Sequence, residues 1–241
     1  MDKTSQGKDP MGAAIADYFA KGKASKLRVF SSMFDEDEIP VRQLFRTFKE
    51  MPKLEQKAIQ LSEGRILDVG AGSGCHALVL QEQGKEVTAI EISPLSVETM
   101  QKRGVRDVRL VNFFDESLTG PFDTILFLMN GSGIVGKLEN LPSFFQRLKQ
   151  LLSPTGCVLM DSSDLRYLFE DEEGKLDIDP EAGYYGEVDF YMRYKTVNGE
   201  TFDWLYLDFQ TLSMHAAQAG FKAEKLGEGQ HYDYLARISR M

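Results

Sequence analysis

No stretch of the 241-residue chain comes near the roughly 18 to 20 consecutive apolar residues that span a bilayer, so no membrane association is expected. The opening MDKTSQGKDP lacks the apolar centre of a secretory signal, and the reading is cytoplasmic. Cysteine is scarce. Cys75 and Cys157 stand far apart with no C-x-x-C pair, and His76, His215 and His231 are scattered, so neither a disulfide framework nor a metal site is expected. Positive charge is in deficit too: 28 Lys and Arg against 37 Asp and Glu leave −9, which disfavours a protein that displaces counterions from a duplex. No nucleic-acid partner is expected. Neither an internal repeat nor a low-complexity linker divides the chain, and its oligomeric state leaves no mark in it. With 42% hydrophobic residues there is material for one sizeable core, and residues 1–241 read as a single domain.

Hydrophobic spacing carries the organisation. In residues 1–62, Leu44, Phe45 and Phe48 after Pro40, and Leu54, Ala58 and Leu61 after Pro52, predict amphipathic helices, with Asp35-Glu36-Asp37-Glu38 as the acidic start of one. From Arg65 the rhythm alternates. Strands are predicted at 65–69, 86–90, 108–114, 122–129 and 157–160. Helices separate them: Cys75 to Gln83, the Ser93-Pro94 start to Gly104, and a run after Pro142 in which Phe144, Phe145, Leu148, Leu151 and Leu152 form an apolar stripe. Such alternation implies an α/β, doubly wound, mostly parallel sheet. Its ligand belongs at the carboxyl ends of the strands, in the loops after Val69, Ile90, Val111, Met129 and Met160. Beyond the core at 63–164, an acidic loop and hairpin insertion occupies 165–208, with its turn at Asn198-Gly199. A closing helix at 209–219 and strands at 221–226 and 232–238 make up 209–241.

Asp68-Val69-Gly70-Ala71-Gly72-Ser73-Gly74 follows a predicted strand and opens a helix. Alternate glycines let the backbone turn sharply and approach a ligand, while the helix start offers unpaired N–H groups. A nicotinamide-type loop would read G-x-G-x-x-G, whereas the sixth position from Gly70 is Cys75 and the third glycine comes early, at Gly74. Asp68 at the strand end would repel a pyrophosphate and suits an amino group. This acid-x-Gly-x-Gly-x-Gly pattern resembles that of the class I S-adenosylmethionine-dependent methyltransferases, closely from Arg65 to Met160 and more loosely beyond Phe209. The resemblance implies a seven-stranded Rossmann-like sheet, S-adenosyl-L-methionine as cofactor, and cover from residues 1–62 acting as a helical N-terminal lid.

By the same resemblance, Asp68, Gly70, Ala71, Gly72 and Gly74 support the aminoacyl part of the cofactor, and Glu91, followed by Ile92, holds the ribose hydroxyls. Asn112, followed by Phe113, stands where the family often has an adenine-binding aspartate; Asp115 competes for that place. Met129 and Asn130 pass beneath the methyl-bearing sulfonium, in a sequence unlike the Asn-Pro-Pro-aromatic motif of DNA-base and glutamine methyltransferases. In-line methyl transfer is driven by alignment and requires no catalytic dyad. Asn130 and Asp161 are the acceptor-side candidates, Asp161 reading equally as a helix cap. His76 reads as opening its helix and His215 as structural. The aromatics Tyr184, Tyr185, Tyr191, Tyr194, Trp204 and Tyr206 either wall a pocket or pack the hairpin. Residues 165–190 hold nine acids and two bases, which is either an attraction for a cationic substrate or a solvated loop. Transfer to a small-molecule acceptor leads. A cofactor-binding scaffold without turnover stays open, and a nicotinamide oxidoreductase is disfavoured by the glycine spacing.

Overall fold

The computed structural model describes residues 6–170 and 183–241. Helix α1 (Pro10–Lys21) leads into β1 (Leu27–Phe30) and β2 (Asp37–Ile39), and α2 (Lys53–Leu61) precedes the main alternation. That alternation runs β3 (Arg65–Val69), α3 (Cys75–Glu82), β4 (Glu86–Glu91), α4 (Pro94–Arg103), β5 (Asp107–Leu110), β6 (Phe122–Phe127), α5 (Leu141–Leu151) and β7 (Leu152–Ser163). The insertion holds β8 (Glu187–Tyr194), β9 (Val197–Asn198) and β10 (Phe202–Leu205), and α6 (Phe209–Gln218), β11 (Phe221–Glu228) and β12 (Asp233–Arg240) close the chain.

Seven strands form the main sheet in the order β11-β12-β7-β6-β3-β4-β5. β5, β4, β3, β6 and β7 are parallel, while β12 runs antiparallel to β7 and β11 to β12. The chain starts at the centre, winds outward to β5 and returns to the other side of β3. The crevice at the carboxyl ends of β3 and β6 is therefore the switch point where such sheets bind ligands. Both faces are covered. Phe113, Phe127, Phe144 and Phe145 pack edge-on or tilted on one side, and Ala58, Ile59, Leu80 and Met100 are buried on the other. The helix signals work as read: the Ser93 hydroxyl accepts the Ser96 N–H at 3.0 Å, Pro94 opens α4, and Gly104 ends it at φ 91°.

A second, five-stranded sheet has the order β10-β8-β1-β2, with β9 on β8. It corrects the helical reading of residues 1–62. Asp35 to Glu38 does not start a helix: Asp37–Ile39 is a strand, with Ile39 opposite Leu27 and Asp37 opposite Val29. Two forces decide this. Pro40 disfavours helical backbone at the residue before it, and the acids find cross-strand cations, Glu36 on Arg28 and Glu38 on Lys26 at 3.0 Å. The predicted helix after Pro40 becomes two short 3₁₀ turns, Val41–Phe45 and Phe48–Glu50.

Two further boundaries differ. The tight turn of the hairpin falls at Lys195-Thr196, with Lys195 at φ 53° and Tyr194 opposite Val197, whereas Asn198-Gly199 lies beyond it, where the Gly199 N–H donates to the Met192 carbonyl at 2.9 Å. β7 begins at Leu152 and absorbs Pro154-Thr155-Gly156 through a register irregularity against β6. Of the acidic stretch at 165–190, the Leu165–Phe169 segment is a 3₁₀ turn and residues 171–182 lie outside the described residues. Among the described residues, no helix is long and apolar enough to cross a membrane.

Candidate functional site

β3 is buried from Ile66 to Val69 and leaves the sheet through Gly70 at φ 69°, a backbone that side chains other than glycine's resist. The N–H groups of Gly70 and Ala71 both donate to the Ile90 carbonyl, at 3.0 and 3.1 Å, which ties the loop to β4. Gly74, at φ 81°, is needed for a different reason: a Cβ there would come within 2.9 Å of Met100 in α4. Glu91 at the end of β4 folds back on the loop. Its Oε2 accepts the Gly72 N–H at 2.9 Å, and its Oε1 accepts those of Ile92 and Ser93 at 2.7 and 3.2 Å. Burial raises the Glu91 carboxyl above the usual range, and these three donors work against that rise.

Asp68 is 2% exposed, and burial raises its carboxyl while His76 and the Ala77 N–H pull it back. Among the described residues its Oδ2 has no hydrogen-bond partner. A buried, unsatisfied carboxylate oxygen is costly, and this one belongs to a residue lining a cavity of about 720 Å³.

The loop after β6 forms the next part of the wall. Met129 and Asn130 are left-handed without being glycine, at φ 69° and 56°. Such strain persists only where neighbours impose it, and here Asp161 of β7 does so: its two oxygens accept the Met129 and Gly131 N–H groups, each at 3.0 Å. Burial pushes the Asp161 carboxyl up to about 6. Asn130 accepts a hydrogen bond from the Ser163 hydroxyl at 2.8 Å.

Asp68, Gly70, Ala71, Gly72, Met129 and Asn130 are thus brought together in the cavity wall. Gly74, Glu91, Ile92, Asn112, Phe113 and Asp161 stand behind or beside it. Asp161 shapes the β6 loop from within β7 and caps no helix. The Phe113 ring is in the core, edge-on to Phe127, and Asn112 turns its amide oxygen to the Phe114 N–H at 2.8 Å. Of the tyrosines read as wall candidates, Tyr206 lines the cavity with Trp204. Tyr194 instead donates to Asp17, Tyr184 to Asp208 and Tyr185 to Asp164, and Tyr191 stacks on Phe30.

Two features escaped the sequence reading. One is the opposite wall, where Phe190 and Met192 of β8 and Phe202 of β10 join Trp204; their i, i+2 spacing on either side of the turn was the available signal. The other is a buried charge chain from the N-terminal segment. Arg46 pairs with Glu55, and Glu55 accepts from His76 Nε2 at 2.8 Å. Burial acts first on both partners, yet the pairing prevails: Glu55 is held below its ordinary range and His76 above its own.

A family model described as a methyltransferase domain matches residues 38–223 of the chain. The chain belongs to the methyltransferase-domain family. The resemblance read from the Asp68–Gly74 loop therefore holds, as does the doubly wound, Rossmann-like reading of the fold. A solved structure of an S-adenosylmethionine-dependent methyltransferase from Bacteroides fragilis, in complex with S-adenosyl-L-homocysteine, is 65% identical, with a TM-score of 0.94 over 99% of this chain and 98% of that one. An uncharacterized methyltransferase of Staphylococcus carnosus (strain TM300) is 31% identical over 150 residues, 62% of this chain and 67% of the relative. The CcbJ methyltransferase of Streptomyces caelestis, at 13% identity, shares the fold alone, with a TM-score of 0.64 over 98% of this chain and 99% of its own. Within this methyltransferase domain, the glycine loop, the strained β6 loop and the aromatic wall enclose one space.

Proposed function

We propose that this methyltransferase binds S-adenosylmethionine at the Asp68–Gly74 loop and transfers its methyl group to a small-molecule acceptor. The observation that carries the reading is Asp68 Oδ2, a buried acceptor without a partner among the described residues, which belongs to a residue lining the cavity beside the glycine loop. An ammonium group would satisfy it, and the amino-acid part of the cofactor carries one. The backbone from Gly70 to Gly72 supports that part, and Glu91, already fixed by three N–H donors, keeps carboxylate lone pairs for the ribose hydroxyls. At the adenine end Asn112 stands where the family often has an aspartate, whereas the Phe113 side chain is committed to the core. Met129 and Asn130, locked by Asp161, supply a rigid shelf below the reacting centre.

When bound, the cofactor supplies an electrophilic methyl carbon on a positively charged sulfur. The protein orients the acceptor and keeps water out. Met11, Ile15 and Leu44 from the N-terminal segment close one side of the cavity, which supports the reading of residues 1–62 as a lid, though one built from strands as well as helices. Titration calorimetry with S-adenosylmethionine and S-adenosylhomocysteine tests the proposal: saturable binding is expected, and no heat at millimolar ligand with folded protein would overturn it. A Glu91→Ala variant with full affinity would remove the ribose assignment.

A further inference from the structure

The cavity has a second half that the cofactor loop leaves unused. Its wall is one face of the second sheet, where strand alternation aligns Phe190 and Met192 on β8 with Phe202 and Trp204 on β10. Phe190 is the centre of this group, with the rings of Phe34, Phe202 and Tyr206 at 6.4, 6.2 and 6.4 Å. The charged groups that line it on this side are acids, and the raised imidazole of His76 is already paired with Glu55. Asp35, Asp37 and Glu38 line the cavity on the β2 side, and among the described residues no Lys or Arg lines it. Of the nearby arginines, Arg28 is paired with Glu36, Arg46 with Glu55, and Arg193 lies over the Phe30 ring at 5.3 Å.

An anionic acceptor entering this space would lose its water and find no cation except His76, already paired with Glu55, a cost that apolar contacts do not offset. An amine meets the opposite situation: acids at the entrance attract its protonated form, and ring faces receive it. A hydroxyl acceptor would need a base. Burial pushes the Tyr206 phenol up to about 12, so it stays protonated, and His76 is held by Glu55 at 2.8 Å. The remaining bases in the wall are His231 and the carboxylates of Asp35, Asp37 and Glu38 on the β2 side.

Resting on the cofactor reading above, we infer that the aromatic half of the cavity is the acceptor site and takes a small amine carried on an apolar, ring-sized body. The amine arrives protonated, gives that proton to water, and reacts in its neutral form. Its lone pair forms the N–C bond to the methyl carbon of S-adenosylmethionine, the C–S bond breaks with its electron pair remaining on sulfur, and the resulting ammonium gives a proton to water.

Trp204 is the only tryptophan of the chain, so its emission reports occupancy of this half directly. The test titrates the full chain, saturated with S-adenosylhomocysteine, with three matched and optically silent probes: cyclohexylmethylamine, cyclohexylmethanol and cyclohexylacetate. Saturable emission change is expected with the amine at a concentration at least tenfold below that needed for the alcohol or the carboxylate. Equal or better binding of either competitor, or no saturable binding of the amine, overturns the inference. Asp37→Asn, at an exposed edge, is expected to weaken the amine several-fold and leave S-adenosylhomocysteine affinity unchanged; Phe190→Lys should shift preference toward the carboxylate. If S-adenosylhomocysteine itself fails to bind in calorimetry, the cofactor reading fails. If it binds and the amine preference is absent, only the acceptor inference does.

Discussion

The indole of Trp204 lies against Gly133, so close that a Cβ on residue 133 would overlap the ring. The same junction is held by the Ser132 hydroxyl, which bonds the Leu205 carbonyl at 2.8 Å and the Ser162 hydroxyl at 2.7 Å. The aromatic wall is thereby joined to the turn that follows the strained Met129-Asn130 pair. The aromatic wall and the strained β6 loop are one mechanical unit.

Gly133→Ala should break that unit. Overpacking of this kind costs about 1–3 kcal/mol, to be read from urea unfolding. Methyl transfer is expected to fall at least tenfold while S-adenosylhomocysteine affinity changes less than twofold, because the glycine loop is untouched. Equal loss of both would place the damage in the whole fold.

Asp161 gives a pH signature. Its folded-state value of about 6 lies above the 3.8 of an unperturbed aspartate, owing to burial. The folded state therefore holds a proton that the unfolded chain releases. The stability this contributes is complete below about pH 4 and is lost as the pH rises through about 6, a change of about 3 kcal/mol. Asp161→Asn removes that dependence. Unfolding free energies of the two proteins at pH 4 and pH 7 should show the wild type losing ground to the variant by that order; parallel profiles would contradict the assignment.

Glu55 joins Arg46 to His76 inside the protein, and removing its charge strands two buried cationic partners. Glu55→Gln should cost about 3–5 kcal/mol. Burial disfavours a charged His76, but Glu55 and Asp68 outweigh it and raise the imidazole above its ordinary 6.5. The associated stability is present below 6.5 and lost as the pH rises through the folded value. Ring-proton NMR of His76 should show a midpoint above 6.5 in the wild type and a lower one in Glu55→Gln. No change would remove Glu55 as the cause.

The main sheet was legible because each of its decisions is local. Ser93, Pro94 and Gly104 mark α4 within its own sequence, and the Asp68–Gly74 loop declares its chemistry in seven residues. The second sheet was hidden because its central pairing joins β1 to β8, with Leu27 opposite Tyr194. No periodicity in residues 27–39 announces a partner so far along the chain, and the acids there imitate a helix start until Arg28 and Lys26 are seen across the strands. Asp161 was noticed for its carboxylate and its place at a strand end. Its actual work, holding two backbone N–H groups of another loop, depends on the parallel register of β6 and β7, which fixes Phe127 beside Met160. Phe113 was misleading because an aromatic residue at a strand end serves a core as readily as a ligand.

The most direct test of the cofactor site compares S-adenosylhomocysteine binding by the wild type and Asp68→Asn in calorimetry. The amide keeps the shape and loses the charge that an ammonium requires. Affinity is predicted to fall at least tenfold, about 1.4 kcal/mol, with the fold retained, because the amide oxygen can still accept the Ala77 N–H. Equal affinity of the two proteins would contradict the account.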